Sequence, residues 1–225
     1  IRLIMPLPQD FKPQAVLLDL DGTVLDTFGD IALALKRAFA EHGHEAPPAS
    51  AVRNMIGRGA PMLVERADDA LGLGLDAAAK AEVLERFFHH YGRLQETDEC
   101  AAEPFAGARE GLRALHAAGL PLAIVTNKQQ KFAQGLMNRL ALAPFVKLVV
   151  GGDTCERRKP DPQPLLWAAQ ELGAAASNTL MVGDSVNDVL AARAAGMPVV
   201  CVPYGYNEGK DSRSLPCDAF VETLA

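Results

Sequence analysis

Five short apolar runs in this 225-residue chain each stop at a turn or a polar residue. Ala15 to Leu18 precedes Asp19, and Leu122 to Val125 precedes Thr126-Asn127. Leu148 to Val150 precedes Gly151-Gly152-Asp153, Leu180 to Val182 precedes Gly183-Asp184, and Pro198 to Val202 precedes Pro203. A strand that is apolar at consecutive positions is buried on both faces, as in parallel sheets covered on both sides. Amphipathic stretches separate the runs. Ala108, Leu112 and Leu115 share a helix face ahead of Gly119, and Phe132, Leu136 and Leu140 recur every fourth residue. Leu165, Ala169 and Leu172 precede Gly173, and Val189 to Ala195 precedes Gly196. Glycine just past a helical pattern is a stop signal. The alternation predicts an α/β fold with a doubly wound, mostly parallel sheet and a ligand site at the carboxyl ends of its strands.

The alternation fails between residues 28 and 98. No strand pattern occurs there, and helical patterns run over 29–41, 49–55, 60–71 and 76–94. A crossover between parallel strands needs little more than about a dozen residues. The excess reads as an all-helical cap subdomain inserted into a Rossmann-like core. The expected division is a core of residues 11–27 and 99–225 and a helical cap of residues 28–98. Asp26-Thr27 and Asp98 to Phe105 would be its two hinges. An insertion at a strand's carboxyl end overhangs the ligand site and is placed to act as a lid.

Composition narrows the function classes. With 49% hydrophobic and 22% charged residues the chain has ordinary globular content, which excludes a disordered or disulfide-scaffold protein. A net charge of −6 lacks a basic footprint, so no nucleic-acid partner is expected. No apolar run approaches the roughly 18 residues of a membrane helix, so no membrane partner is expected either. Cys100, Cys155, Cys201 and Cys217 are scattered without a C-x-x-C and read as reduced thiols of a cytoplasmic protein. Ile1 to Asp10, interrupted by Pro6 and Pro8, is too short and broken for a signal peptide. No heptad pattern decides between monomer and homodimer.

Four clusters at the strand ends carry chemistry. Asp19 and Asp21 in Asp19-Leu20-Asp21-Gly22-Thr23 point to one side of an extended chain, where two carboxylates need a cation or a shared proton. Alone, this pattern fits an Asp-rich turn as well as a site. Asp184 follows a strand directly and Asp188 falls in the first turn of the next helix, which capping by Asp184 and the helix dipole would also explain. Two strand ends with two carboxylates each make an oxygen-only site suited to Mg²⁺. Thr126 and Asn127 offer a hydroxyl and backbone N–H groups for phosphate oxygens, or simply a helix cap. Lys159, stiffened by Pro160 and Pro162, is aimed as a counter-cation, although a solvated basic turn has the same composition.

In this order and spacing, Asp19-x-Asp21-Gly-Thr, the apolar run ending at Thr126, Lys159-Pro160 and Gly183-Asp184-x-x-x-Asp188 resemble the four motifs of the haloacid dehalogenase-like hydrolase superfamily. The likeness spans about residues 14–205, and the helical insertion matches the cap of one large subgroup. The second Asp points to the phosphatases and phosphomutases of the superfamily. A finer likeness is to the bacterial phosphoglycolate phosphatases. It rests on Leu25-Asp26-Thr27, Met55-Ile56-Gly57-Arg58-Gly59, Thr126-Asn127-Lys128 and Tyr204-Gly205-Tyr206-Asn207. Sugar-phosphate phosphatases share much of it.

The resemblance implies a Mg²⁺-dependent phosphatase in carbohydrate metabolism that acts on a small phosphate monoester, with 2-phosphoglycolate as the leading candidate. Asp19 is then the nucleophile and Asp21 the general acid and base, a role that calls for a raised pKa. Mg²⁺ falls to Asp19, the Asp21 backbone carbonyl and Asp184, with Asp188 one step removed. Thr126, Lys159 and backbone N–H groups near Leu20 and Asn127 stabilise the transferring phosphoryl group. Arg58 in the cap is the expected reader of a substrate carboxylate, against an equal expectation of a solvated surface arginine. A sugar-phosphate phosphatase, a phosphomutase and a non-catalytic binding module are the alternatives.

Other features read as structural. His42, His44, His89 and His90 fit solvated positions, and Phe87, Phe88 and Tyr91 fit cap packing. Trp167 fits a core helix, Asp68-Asp69 a charged surface turn, and Gly151-Gly152-Asp153 a plain strand-end loop.

Overall fold

A computed structural model describes Leu7 and residues 11–225. The stretch from Ile1 to Asp10, too short and broken for a signal peptide by its sequence, lies outside the described residues apart from Leu7. The five apolar runs form five strands: β1 (Ala15–Leu18), β4 (Leu122–Val125), β5 (Leu148–Val150), β6 (Thr179–Gly183) and β7 (Val199–Cys201). A sixth, β8 (Ala219–Phe220), joins them in one parallel sheet ordered β5-β4-β1-β6-β7-β8. Helices α5 (Ala108–Ala117), α6 (Gln130–Arg139), α7 (Gln163–Glu171) and α8 (Val186–Ala195) follow the predicted amphipathic stretches.

Alternation along β1 explains the two buried faces. Ala15 and Leu17 pack with Leu165 and Ala168 of α7 and Val189 and Ala192 of α8. Val16 and Leu18 pack on the opposite face with Leu112 of α5 and Leu136 of α6. Full burial of one such leucine is worth about 1.5–3 kcal/mol, so a polar replacement on either face is costly. β1 is therefore pinned centrally, and its neighbours β4 and β6 bring their carboxyl ends to Asp19.

Between residues 28 and 98 no strand occurs among the described residues, as the sequence predicts. Helices α1 (Phe28–Glu41), α2 (Ala49–Arg53), α3 (Ala60–Leu71) and α4 (Ala77–Gln95) share an apolar core that Phe132 of α6 and Tyr206 complete. Leu35 and Phe39 of α1 meet Val83 and Phe87 of α4 and Leu63 of α3 there. One feature of the connections is not visible in the pattern. β2 (Leu25–Asp26) and β3 (Glu103–Pro104) pair antiparallel, so both passages between sheet and helices are tied into one small ribbon. Two-residue strands carry no detectable period.

Two readings of single residues are corrected. Trp167 is 38% exposed on α7 rather than in the core. Asp68 is buried within α3, where its carboxylate accepts from the Leu75 N–H and pairs with Lys80.

Candidate active site

Parallel pairing of β1 with β6 sets Leu18 beside Val182 and brings two acidic strand ends together. The Asp19 N–H donates to the Val182 carbonyl at 2.9 Å. Gly22, at φ +92°, turns the chain beneath Asp184, and a Cβ there would overlap that carboxylate. Gly205 leaves the same kind of room from the other side. Asp184 is held between them: its Oδ1 accepts from Thr23 Oγ1 and its Oδ2 from the Tyr206 N–H, each at 2.6 Å.

Lys159 binds the cluster. Its Nζ lies 2.9 Å from Asp19 Oδ1 and 2.7 Å from Asp188 Oδ1. The other Asp188 oxygen accepts from the N–H and hydroxyl of Ser185 at 3.0 and 2.7 Å. Ser185, not Asp184, is the cap residue of α8, and Asp188 completes the capping box. Asp188 is thus both a cap partner and a member of the acidic cluster.

Asp19, Asp184 and Asp188 each present a carboxylate oxygen within 4.8 Å of the others. Three buried carboxylates face one ammonium, an imbalance visible in the acidities of Asp19 and Asp184. Burial pushes Asp19 up to about 7 against the pull of Lys159, and the charge of Asp188 adds to the rise. Burial, then Asp188 and Asp19, hold Asp184 well above the ordinary carboxylate range. Burial alone would lower Lys159, but Asp188 and Asp19 outweigh it and hold the ammonium above the usual lysine range. A set of hard oxygen donors in negative excess fits a divalent cation.

The sign of these shifts sets a stability trend. A carboxyl whose folded pKa is raised keeps its proton in the fold after the unfolded chain has released it. Its stabilisation is complete below about pH 4 and is lost as pH rises toward about 7. Metal-free protein is expected to melt several degrees higher at about pH 5.5 than at about pH 7.5. Saturating divalent cation, which favours the ionised cluster, should remove the difference. Thermal melts at the two pH values check this, and a metal-free protein more stable at the higher pH would refute it.

Asp21 adds least among the causes that raise Asp19, and its oxygens have partners of their own. Its Oδ1 accepts from Thr27 Oγ1 at 2.6 Å, and its Oδ2 pairs with Lys128 Nζ at 2.9 Å. Thr126 is buried at the end of β4, its N–H donating to the Val150 carbonyl. Asn127 spends its Nδ2 on two carbonyls, Gly57 at 3.0 Å and Lys159 at 2.9 Å, tying the helical insertion to the lysine loop. The Leu20 N–H donates to Asp19 Oδ1 at 2.7 Å.

A cavity of about 190 Å³ opens above this floor. Asp19, Asp21, Thr126, Asn127 and Lys128 contribute its polar side. Its roof is apolar, with Ile56, Leu84, Phe87, Phe88 and Tyr91 from the helical insertion. The aromatic residues read as cap packing therefore also face the cavity, and so do Gly152 and Asp153. Arg58 is not among the lining residues. Its Nε donates to Glu208 Oε1 at 2.9 Å, beside Arg66 at 2.8 Å. The cations that line the cavity are Lys128 and the exposed Arg158. Sequence reasoning assigned neither a role, although Lys128 belongs to the strand-end stretch Thr126-Asn127-Lys128.

The profile of the haloacid dehalogenase-like hydrolase family matches residues 16–202, which contain every residue of the acidic cluster. The chain belongs to the haloacid dehalogenase-like hydrolases. Among curated relatives of this hydrolase, the phosphoglycolate phosphatase of Thiobacillus denitrificans is 42% identical over 213 residues, covering 94% of this chain and 92% of that protein. The phosphoglycolate phosphatase of Nitrosospira multiformis is 43% identical over 212 residues, with the same coverage. Among solved structures, a predicted phosphoglycolate phosphatase from Haemophilus somnus superposes on the hydrolase with a TM-score of 0.86 at 27% identity. The match covers 94% of this chain and 95% of that one. No helix among the described residues of the hydrolase is long and apolar enough to cross a membrane.

Proposed function

We propose that the chain is a Mg²⁺-dependent phosphatase that hydrolyses 2-phosphoglycolate to glycolate and phosphate. The carrying observation is the buried cluster of Asp19, Asp184 and Asp188, with Lys159 bridging Asp19 to Asp188 and Asp19 opening into the cavity. The names of the relatives direct the choice of substrate.

In this reading Asp19 is the nucleophile. Its carboxylate oxygen bonds to phosphorus as the bond from phosphorus to the ester oxygen breaks. The electron pair leaves with that oxygen, and Asp21 supplies its proton. Glycolate departs, and an aspartyl-phosphate remains on Asp19. Water then attacks phosphorus, Asp21 takes a proton from it, and phosphate leaves Asp19 free. Thr27 and Lys128 hold the Asp21 carboxyl in place through both steps. Thr126, Lys159 and the N–H groups of Leu20 and Asn127 face the charge on the phosphoryl oxygens. Asp19, the Asp21 carbonyl and Asp184 would hold the Mg²⁺, which neutralises charge between carboxylates and phosphate when bound. Asp188 stands behind them, its oxygens engaged by Lys159 and Ser185 and its role that of holding Lys159 against Asp19.

Residues 28–98 act as the cap and residues 11–27 and 99–225 as the core. An apolar cluster drawn mostly from the helices, which Phe132 and Tyr206 of the core join, and the β2–β3 ribbon at their base support that division. The cap closes water out through its apolar roof. Its Gly57 carbonyl latches to the core by accepting from Asn127.

Phosphate release with Mg²⁺ over a panel tests the proposal. The panel holds 2-phosphoglycolate, hexose and amino-sugar phosphates and an aryl phosphate. The expected kcat/KM for 2-phosphoglycolate exceeds the others by at least about tenfold. Preference for a sugar phosphate would overturn the substrate. Absence of release from every member, with folded metal-bound protein, would overturn the activity.

A further inference from the structure

We infer that Lys128 selects the substrate, receiving the carboxylate of a phosphate monoester whose ester oxygen faces Asp21; this rests on the phosphatase reading above. The Lys128 side chain is 7% exposed and lines the cavity. Its Nζ pairs with Asp21 Oδ2 at 2.9 Å and sits 4.5 Å from the centre of the Tyr91 ring. An ammonium has three donors. Asp21 occupies one, and among the described residues no second carboxylate pairs with Lys128.

The Tyr91 hydroxyl points to the same place. The Tyr91 hydroxyl is buried and has no hydrogen-bond partner among the described residues. Tyr91 lines the cavity too. A buried hydroxyl without a partner is costly, and an acceptor arriving with the ligand relieves that cost. An ammonium and an unpartnered hydroxyl on one wall of a cavity otherwise roofed by Ile56, Leu84, Phe87 and Phe88 make a local anion site. Burial pulls the Lys128 ammonium down, but Asp21 and then Tyr91 outweigh it and keep the charge in place.

The substrate's own geometry completes the argument. In 2-phosphoglycolate the carboxylate carbon is two bonds from the ester oxygen. If Asp21 is to protonate that oxygen, the carboxylate must lie beside Asp21, where the Lys128 ammonium stands. The other cations are badly placed. Lys159 is engaged by Asp19 and Asp188 at the phosphoryl end, Arg58 is paired with Glu208 outside the lining, and Arg158 is solvent-screened. Beside a largely buried ammonium under an apolar roof the carboxylate–ammonium contact is strong, and a neutral group in its place forfeits it.

The test is a selectivity ratio. kcat and KM are measured for 2-phosphoglycolate and for 2-hydroxyethyl phosphate, a neutral-ended ester of similar size. The proteins are wild type, Lys128→Met, Lys128→Arg and Tyr91→Phe, each checked for a cooperative melt. Wild type should prefer 2-phosphoglycolate. In Lys128→Met the ratio of the two kcat/KM values should fall at least about 30-fold, chiefly through KM for 2-phosphoglycolate. Lys128→Arg should retain most of the ratio, and Tyr91→Phe should lose about threefold to tenfold. If Lys128 serves only to hold Asp21, kcat falls equally on both substrates and the ratio is unchanged, which overturns the inference. Should Lys128→Met fail to melt cooperatively, the decision passes to Tyr91→Phe, where an unchanged ratio has the same force. A wild type that turns over 2-hydroxyethyl phosphate but not 2-phosphoglycolate overturns the substrate reading itself, before any variant is compared.

Discussion

Asp19→Asn protein is expected to fold, to melt at least as high as wild type without metal at neutral pH, and to lose phosphate release by on the order of 10⁴-fold. The loss follows from chemistry: an amide oxygen is too weak a nucleophile to form the phosphoryl ester. The stability follows from the site. Burial and Asp188 push the Asp19 acid up to about 7, so at neutral pH its ionised form is disfavoured by the fold even with Lys159 at 2.9 Å. A neutral isostere relieves that repulsion. The variant should also show a shallower fall in melting temperature from about pH 5.5 to about pH 7.5, because one of the two titrating groups is gone. Activity and metal-free stability therefore move in opposite directions at one atom. Phosphate release and melts on the same preparation measure both. Release above a few per cent of wild type would remove Asp19 from the nucleophile's role.

The core was legible in the sequence because burial on both faces writes itself as unbroken apolar runs. Ala15 to Leu18, Leu122 to Val125 and Leu148 to Val150 each became a strand, and the residues that follow them, Asp19, Thr126 and Gly152, line the cavity. β2, β3 and β8 were not legible, since two residues have no period and their pairing depends on distant partners. The acidic cluster was legible because its members stand at strand ends, where sheet topology alone brings them together. Arg58 and Lys128 show the limit. Arg58 lies between two glycines in a loop, and what it meets is decided by the Glu208 turn far along the chain. Lys128 acquires its meaning only when Tyr91 from the helical insertion lies beneath its ammonium and Asp21 beside it. Local pattern says where strands end; it does not say how a cap is seated on them.

The seating of charge makes Lys159→Met the most disruptive single substitution expected in the site. Its ammonium is 3% exposed and joins Asp19 to Asp188. Methionine keeps most of the volume and removes the only cation bonded to the cluster among the described residues, leaving Asp19, Asp184 and Asp188 facing one another. Breaking a buried ion pair from one side costs about 3–5 kcal/mol, which for a chain of this size lowers the melting temperature by roughly 10 °C. Two controls separate this from lost packing. The deficit should shrink at about pH 5, where the raised acids of Asp19 and Asp184 take up protons and need no counter-charge. It should also shrink when Asp188→Asn is added, because the two sites share one network and their costs cannot add. A deficit independent of pH and fully additive would mean that Lys159 acts by filling space. The catalytic loss, about 10² to 10³-fold in kcat, should persist at either pH, because no protonation of the carboxylates restores a cation to the phosphoryl oxygens.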